Sequence, residues 1–305
     1  MKEKLLTQFM NELIVELEEQ QRNGTAHVYR STLNRLKKIM NGREISFREL
    51  TPEWLVQFEQ ELLADQLKWN TVSTYMRMLR SVYNQALERG IATYVPRLFS
   101  RVYTGVDNQV KRAVSPEVIC RLMTDKKTLP DKLSFYRDIF ILMFLLRGMP
   151  FVDLVFLRKC DLQGNQITYH RHKTGRRMSV MVCPEAMEII RKYKDVFPDS
   201  PYLFPIIQTP GKNEYRQYSR MLRMENYYLL QVARFLQIRE RLSTYTARHT
   251  WATTALRQKY SSNLICDAMG HSSVKVTENY FQSFKETEIN WMNKSLIAFV
   301  LSRNP

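Results

Sequence analysis

The chain has 305 residues, 44% hydrophobic and 25% charged, enough to bury the core of one large or two ordinary domains and too apolar to be disordered throughout. Its net charge of +16 points to a polyanionic partner, nucleic acid being the commonest. Four scattered cysteines (Cys120, Cys160, Cys183 and Cys266) form no CxxC pair, which argues against a zinc site or a disulfide framework and suits a reduced, cytoplasmic chain.

The opening stretch MKEKLLTQFMNELIVELEEQ is amphipathic and acidic, unlike a signal peptide. Within it Phe9, Leu13, Val15 and Leu17 recur at near-helical spacing, and AHVYRSTLNRLKKIM repeats the pattern with Val28, Leu33, Leu36 and Ile39. In LTPEWLVQFEQELLA, Thr51 can cap a third helix and Pro52 suits its first position. TVSTYMRMLRSVYNQALERG gives a fourth, stopped at Gly90. These helices make an N-terminal domain over residues 1–100. Its outer face carries Arg35, Lys37, Lys38, Arg77 and Arg80, a pattern that fits simple solvation as well as phosphate contact. The period then lapses among prolines and scattered basic residues, so a linker is expected over 101–114. A second domain is expected over 115–305, opened by Ser115, Pro116 and Glu117 as helix cap, first position and first-turn acid.

In this second domain, helices are expected over DKLSFYRDIFILMFLLRGM and PFVDLVFLRKCDL; the run IFILMFLL is too short to span a bilayer and reads as a buried helix. GNQITYHRHKTGRRMSVMV alternates and is rich in β-branched and aromatic residues, which predicts an antiparallel hairpin turning tightly at Thr174-Gly175. Helices follow at PEAMEIIRKYKDV, RMENYYLLQVARFLQI, TARHTWATTALRQK, SSNLICDAMG and GHSSVKVTENYF. The tail KETEINWMNKSLIAFVLSR is amphipathic, with Ile289, Trp291, Met292, Leu296, Phe299 and Val300 as its apolar positions. The fold class is mainly α, four helices followed by a mixed, mostly helical domain with a small antiparallel β-sheet.

Unusual polar residues sit beside apolar helices at Arg147, Lys173, Arg248 with His249, and His271 with Tyr280. Each alone has a bland reading: an arginine favoured by a helix C-terminus, a solvated lysine in a turn, a packed tyrosine. Their order is more specific. An arginine, a hairpin lysine, an Arg-His pair, then Gly-His-Ser-Ser with a tyrosine nine residues after the histidine resembles the tyrosine recombinases, the phage integrase family. TARHTWATTAL and MGHSSVKVTENYF carry the resemblance most strongly, and RGMPFVDLVFLRKCDL and HKTGRR are similar to the branch found in Bacteroides-type mobile elements and invertases.

The resemblance covers essentially the whole chain. It implies a SAM-like core-binding domain, a catalytic domain with a C-terminal helix, and duplex DNA as partner. It also implies strand exchange by a homotetramer, with neither cofactor nor metal, and leaves room for accessory DNA-bending proteins. Residue types agree with that chemistry. Arginine forks bind phosphate oxygens bidentately and keep their charge, so Arg248 and Arg147 would hold the scissile phosphate. Tyr280 would attack phosphorus to form a 3′-phosphotyrosine, Lys173 would protonate the departing 5′ oxygen, and His271 would donate to a phosphate oxygen.

Two positions depart from the family pattern. Its histidine three residues before the second arginine is Tyr245 here, on the same helix face as Arg248 and able to offer a hydroxyl. Its first arginine position holds Pro150, and Arg147, three residues earlier, is expected to stand in from about one helical turn away. Asp153 then falls at the family's acidic position, suited to orienting cations. A metal-dependent nuclease would need clustered carboxylates, a non-catalytic DNA-binding regulator would not need Tyr280, Arg248 and Lys173 together, and a type IB topoisomerase shares the chemistry without this compact two-domain layout.

Overall fold

The structure is a computed structural model describing residues 4–105, 112–125, 129–281 and 286–301, with side chains for all of these except 286–289 and 298–301. The chain divides into two compact units, Met1–Gln109 and Val110–Pro305.

Four helices build the first unit: α1 (Leu6–Glu19), α2 (Asn23–Ile39), α3 (Pro52–Ala64) and α4 (Trp69–Glu88). Their inward faces meet through Phe9, Leu13, Leu36, Leu55, Phe58, Met76 and Leu79. The Thr51 hydroxyl accepts from the Trp54 amide at 3.2 Å, with Pro52 at the first helical position. The stripe on α1 differs from the expected one. It runs through Phe9, Met10, Leu13, Ile14 and Leu17, which leaves Val15 on the outside. On the basic face Arg35 and Lys38 both reach Asp65, and Arg80 is exposed.

The expected linker is packed at both ends. Val102 belongs to the first core, and the Tyr103 amide donates to the Glu59 carboxylate. At the other end the Val114 amide donates to the Thr250 hydroxyl. Residues 106–111 lie outside the described residues.

The second unit begins with α5 (Pro116–Thr124) and α6 (Asp131–Leu145). The IFILMFLL run lies on α6 with Ile139, Phe140, Leu142 and Met143 fully buried, and the helix packs against α5, α8, α9 and α10. A helix over PFVDLVFLRKCDL is not found. Instead α7 is confined to Phe151–Val155, with Pro150 as its cap rather than its first residue, followed by a 3-10 turn at Lys159–Asp161. The reason is backbone pairing: the Lys159 amide donates to the Pro201 carbonyl and the Leu203 amide to the Leu157 carbonyl, so these groups serve a neighbouring segment rather than a helix.

Strands β1 (Leu162–Gln163), β2 (Gln166–His170) and β3 (Arg177–Met181) form an antiparallel sheet in that order, with Ile167 opposite Val180. The hairpin is as expected, its turn is not. β2 and β3 are joined by the six residues 171–176, closed by bonds from the Arg171 amide to the Arg176 carbonyl and from the Gly175 amide to the Arg171 carbonyl.

Helices α8 (Pro184–Tyr193), α9 (Glu214–Phe235), α10 (Thr244–Arg257), α11 (Ser262–Met269), α12 (Val274–Glu278) and α13 (Glu286–Leu301) complete the unit. α9 starts at Glu214, nine residues before the expected Arg223. On α13 Trp291, Met292 and Leu296 are exposed, while the expected apolar side chains of Ile289, Phe299 and Val300 lie outside the described residues. No helix among the described residues is long and apolar enough to cross a membrane.

Candidate active site

Helix α10 is buried on most of its surface although it is rich in threonine, arginine and histidine. Its start is fixed twice: Ser243 and Thr246 bond reciprocally in a capping box, and the Asn226 side-chain oxygen accepts from the Thr244 amide. One turn in, Arg248 is 4% exposed. Its Nη1 donates to the Gly148 carbonyl at 2.7 Å, and its Nη2 donates to the Met269 carbonyl at 2.8 Å and to His271 Nε2 at 2.7 Å. Its Nε is buried with no hydrogen-bond partner among the described residues. Gly148 permits this seat, since it has φ +64° and a Cβ there would lie 2.9 Å from the Arg248 Cα.

His271 follows Gly270, which ends α11 in the left-handed region at φ +66°. Guanidinium has no lone pair, so His271 Nε2 must accept from Arg248, and its Nδ1–H donates to the Thr277 hydroxyl at 2.8 Å. The ring is therefore neutral. Burial first, and then the Arg248 charge, push its pKa down to about 3.

Tyr280 lies just past α12, half-buried. Its backbone carbonyl accepts from His249 Nδ1 at 3.1 Å and from the Thr253 hydroxyl at 3.2 Å, so α10 holds the tyrosine's main chain directly. Its ring stacks on His271 with centroids 5.1 Å apart and lies 5.3 Å from the Arg248 guanidinium carbon. Arg248, His271 and Tyr280 thus form one contact group, with His249 behind it.

The other expected residues stand differently. Lys173 is exposed on the 171–176 loop, near enough for its charge to act on His271. Arg147 is half-buried, and its Nη1 donates to the Ser179 carbonyl on β3 at 3.2 Å. The helical-turn arithmetic does not apply to it. α6 stops at Leu145, and Arg147 and Gly148 both adopt positive φ, 61° and 64°. Tyr245 is 56% exposed, with the Arg112 guanidinium over its ring at 5.6 Å, outside the hydrogen-bonded group.

Arg171 and Arg176, which the sequence reading did not single out, support the group together with Asp153, the acid expected to orient a cation. Arg171, 8% exposed, donates from Nε to Asp153 at 3.2 Å and from Nη1 to the Met269 and Gly270 carbonyls at 3.0 and 2.9 Å. Asp153 also accepts from the His172 amide at 2.8 Å, so it anchors the 171–176 loop. Arg176 donates to the His271 carbonyl and to Asp267. The signal for Arg171 was present in the strand alternation. Ile167, Tyr169 and Arg171 share the inward phase of β2, and an arginine in that phase needs buried acceptors. Thr277 and Thr253 gave no comparable signal.

Arg248 and Arg171 therefore converge on the Met269 and Gly270 carbonyls that end α11, which lack intrahelical donors and form the negative end of the helix, and Arg176 takes the next carbonyl, that of His271. That explains how the like charges are held together. Arranged this way, the group can bind an anion at Arg248 and present a phenol to it.

A family model described as the phage integrase SAM-like domain matches residues 5–100, and one described as the phage integrase family matches residues 112–287. The tyrosine recombinase XerC of Thermodesulfovibrio yellowstonii (strain ATCC 51303 / DSM 11347 / YP87) is 25% identical over 290 residues, 90% of each chain. The Tn1549 transposon integrase in complex with transposon right end DNA has a similar fold at TM-score 0.67 and 12% identity, covering 96% of this chain and all of that one. A lambda integrase tetramer bound to a Holliday junction is similar at TM-score 0.64 and 12% identity, over 92% of this chain and 78% of that one.

Proposed function

The chain belongs to the phage integrase family of tyrosine recombinases, and from that premise we propose that its site-specific recombination of DNA uses Tyr280 as the nucleophile. One observation carries the assignment. Arg248, with three of its donor contacts already made inside the protein, keeps a buried Nε–H with no acceptor among the described residues, beside the Tyr280 ring. A non-bridging phosphate oxygen would supply that acceptor in a site where the bond is strong.

The reaction then runs as follows. The Tyr280 hydroxyl attacks phosphorus and its proton passes to water. The Oη–P bond forms, the P–O5′ bond breaks, and Lys173 gives a proton to the 5′ oxygen, regaining it from solvent. Arg248 stabilises the added charge on the phosphate, and Arg147 is the second cation from the end of α6. In the free protein His271 positions Arg248 by accepting from it. A bound phosphate favours the protonated ring, whose Nε2–H can then donate to oxygen. Tyr245, exposed one turn before Arg248, offers its hydroxyl to the phosphate. The ester is conserved in the phosphotyrosine, so a 5′-hydroxyl from another strand reseals it without ATP.

Exchange between two duplexes calls for four active sites, hence a homotetramer on DNA. The exposed Trp291, Met292 and Leu296 make α13 the segment suited to docking on a neighbouring protomer. The proposed place of action is the cytoplasm, with the DNA.

The test is an adduct trap. Full-length protein is mixed with a randomised pool of nicked duplexes, with and without chelator, and run on a denaturing gel; recovered adducts define the site duplex. The expected result is a covalent protein–DNA band from wild type and none from Tyr280→Phe. An adduct that survives in Tyr280→Phe contradicts the proposal, and cleavage abolished by the chelator would indicate a metal-dependent nuclease.

A further inference from the structure

Lys173 is the one proposed catalytic group on an exposed loop, and general acid chemistry demands accurate placement of its ammonium against the 5′ oxygen. Such a lysine, on a flexible stem, gains nothing from its own side chain in this respect. Its loop, however, is fastened on both sides. Two residues before it, Arg171 reaches inward to Asp153 and to the Met269 and Gly270 carbonyls. Three residues after it, Arg176 reaches the His271 carbonyl and Asp267.

The two fastenings are unequal. Arg176 is 42% exposed and its partner Asp267 74%, so that pair is weak in water. Arg171 and Asp153 are 8% and 1% exposed, so their bonds are formed away from solvent. The acceptors of Arg171 also connect it to the rest of the group. Met269 gives its carbonyl both to Arg171 and to Arg248, at 3.0 and 2.8 Å. Gly270 is shaped for the approach: a Cβ there would lie 2.9 Å from the Arg171 Cδ.

We propose that Arg171 is a positioning residue for strand cleavage: from the position just after β2 it fixes the 171–176 loop to the end of α11, through the Met269 carbonyl that also seats Arg248, so that the proposed acid Lys173 and the phosphate-binding arginine share one frame. This rests on the reading of Lys173 as the general acid. Asp153 is the counter-ion that keeps the Arg171 fork aimed, through one oxygen to its Nε and the other to the His172 amide. Lysine in place of Arg171 would keep the charge but could not hold Asp153 and both carbonyls in one plane.

The experiment separates placement of the acid from support of the fold. The site duplex from the adduct trap is made with its ordinary 5′ oxygen and with a bridging 5′ sulfur at the scissile bond. A thiolate leaves without needing a proton, so loss of the acid is repaired by the sulfur. Rates of covalent adduct formation are measured on both duplexes for wild type, Lys173→Ala, Arg171→Lys, Arg171→Met and Arg176→Met.

On the oxygen duplex we expect Lys173→Ala to lose roughly 10²-fold or more and the Arg171 variants roughly 10-fold or more, within the range of general acid catalysis. On the sulfur duplex both should recover to within about threefold of wild type, and on the oxygen duplex Arg176→Met should lose less than Arg171→Lys, in keeping with an exposed ion pair. If Lys173→Ala is not rescued by sulfur, the acid assignment falls and the role of Arg171 with it. If Lys173→Ala is rescued but the Arg171 variants lose equally on both duplexes, Lys173 stands and the positioning role of Arg171 is overturned. Arg171→Lys serves where Arg171→Met does not fold. A loss in Arg176→Met as large as that in Arg171→Lys also contradicts the assignment.

Discussion

Helices α6 and α10 lie against each other in the second unit, and both are buried on most of their surface. They are buried for opposite reasons. α6 presents Ile139, Phe140, Leu142 and Met143, whose removal from water drives its packing. α10 presents Thr250, Thr253, Arg248 and His249, which are buried because each finds partners: the Val114 amide, the Tyr280 carbonyl, and the carbonyls of Gly148 and Met269. The exception is the Arg248 Nε. One helix supplies stability that could be replaced by other apolar residues of similar volume. The other supplies a geometry that could not.

Substitution should separate the two. Phe140→Ala is expected to cost about 3–5 kcal/mol of stability by denaturant unfolding, from lost burial and the cavity left behind. The folded fraction should still form adduct at the wild-type rate, and a large rate loss per folded molecule would break the contrast. Arg248→Lys should do the reverse, with adduct formation down roughly 10²–10³-fold as for other losses of a transition-state anion contact. If Arg248→Lys merely lowered stability while keeping the rate, α10 would be a packing element like α6.

The smallest expected effect concerns acid. His271 is held neutral, its pKa depressed from 6.5 to about 3 by burial and Arg248. The unfolded chain therefore takes up a proton there as pH falls below about 6.5, while the folded chain does not until about 3, so stability declines through that window. In His271→Asn the decline between pH 7 and pH 4 should be shallower than in wild type, whatever the absolute stability. An unchanged slope would mean that the ring is not buried and neutral as described.

Much of this was legible in the sequence. Apolar spacing located the buried helices, and the phenol and guanidinium that meet in the structure were found from their motifs. Long-range partnership was not legible. The stretch after Pro150 has a helical apolar pattern, but its backbone is claimed by Pro201 and Leu203, far along the chain. Thr174-Gly175 looks like a two-residue turn because nothing local reveals that Arg171 and Arg176 are tied to α11. Arg147 reads as a helical neighbour of Pro150, yet Arg147 and Gly148 both take positive φ and break the helix, with the backbone of Arg248 close against Gly148. In each case the deciding contact is with a residue distant in sequence.

Strand cleavage as proposed transfers the phosphate to Tyr280. Adduct from the site duplex can be digested with nuclease and protease and its peptides sequenced by mass spectrometry. The expected product is a nucleotide joined through its 3′ phosphate to the Tyr280 hydroxyl. A nucleotide on any other residue, or one joined through its 5′ phosphate, would contradict it.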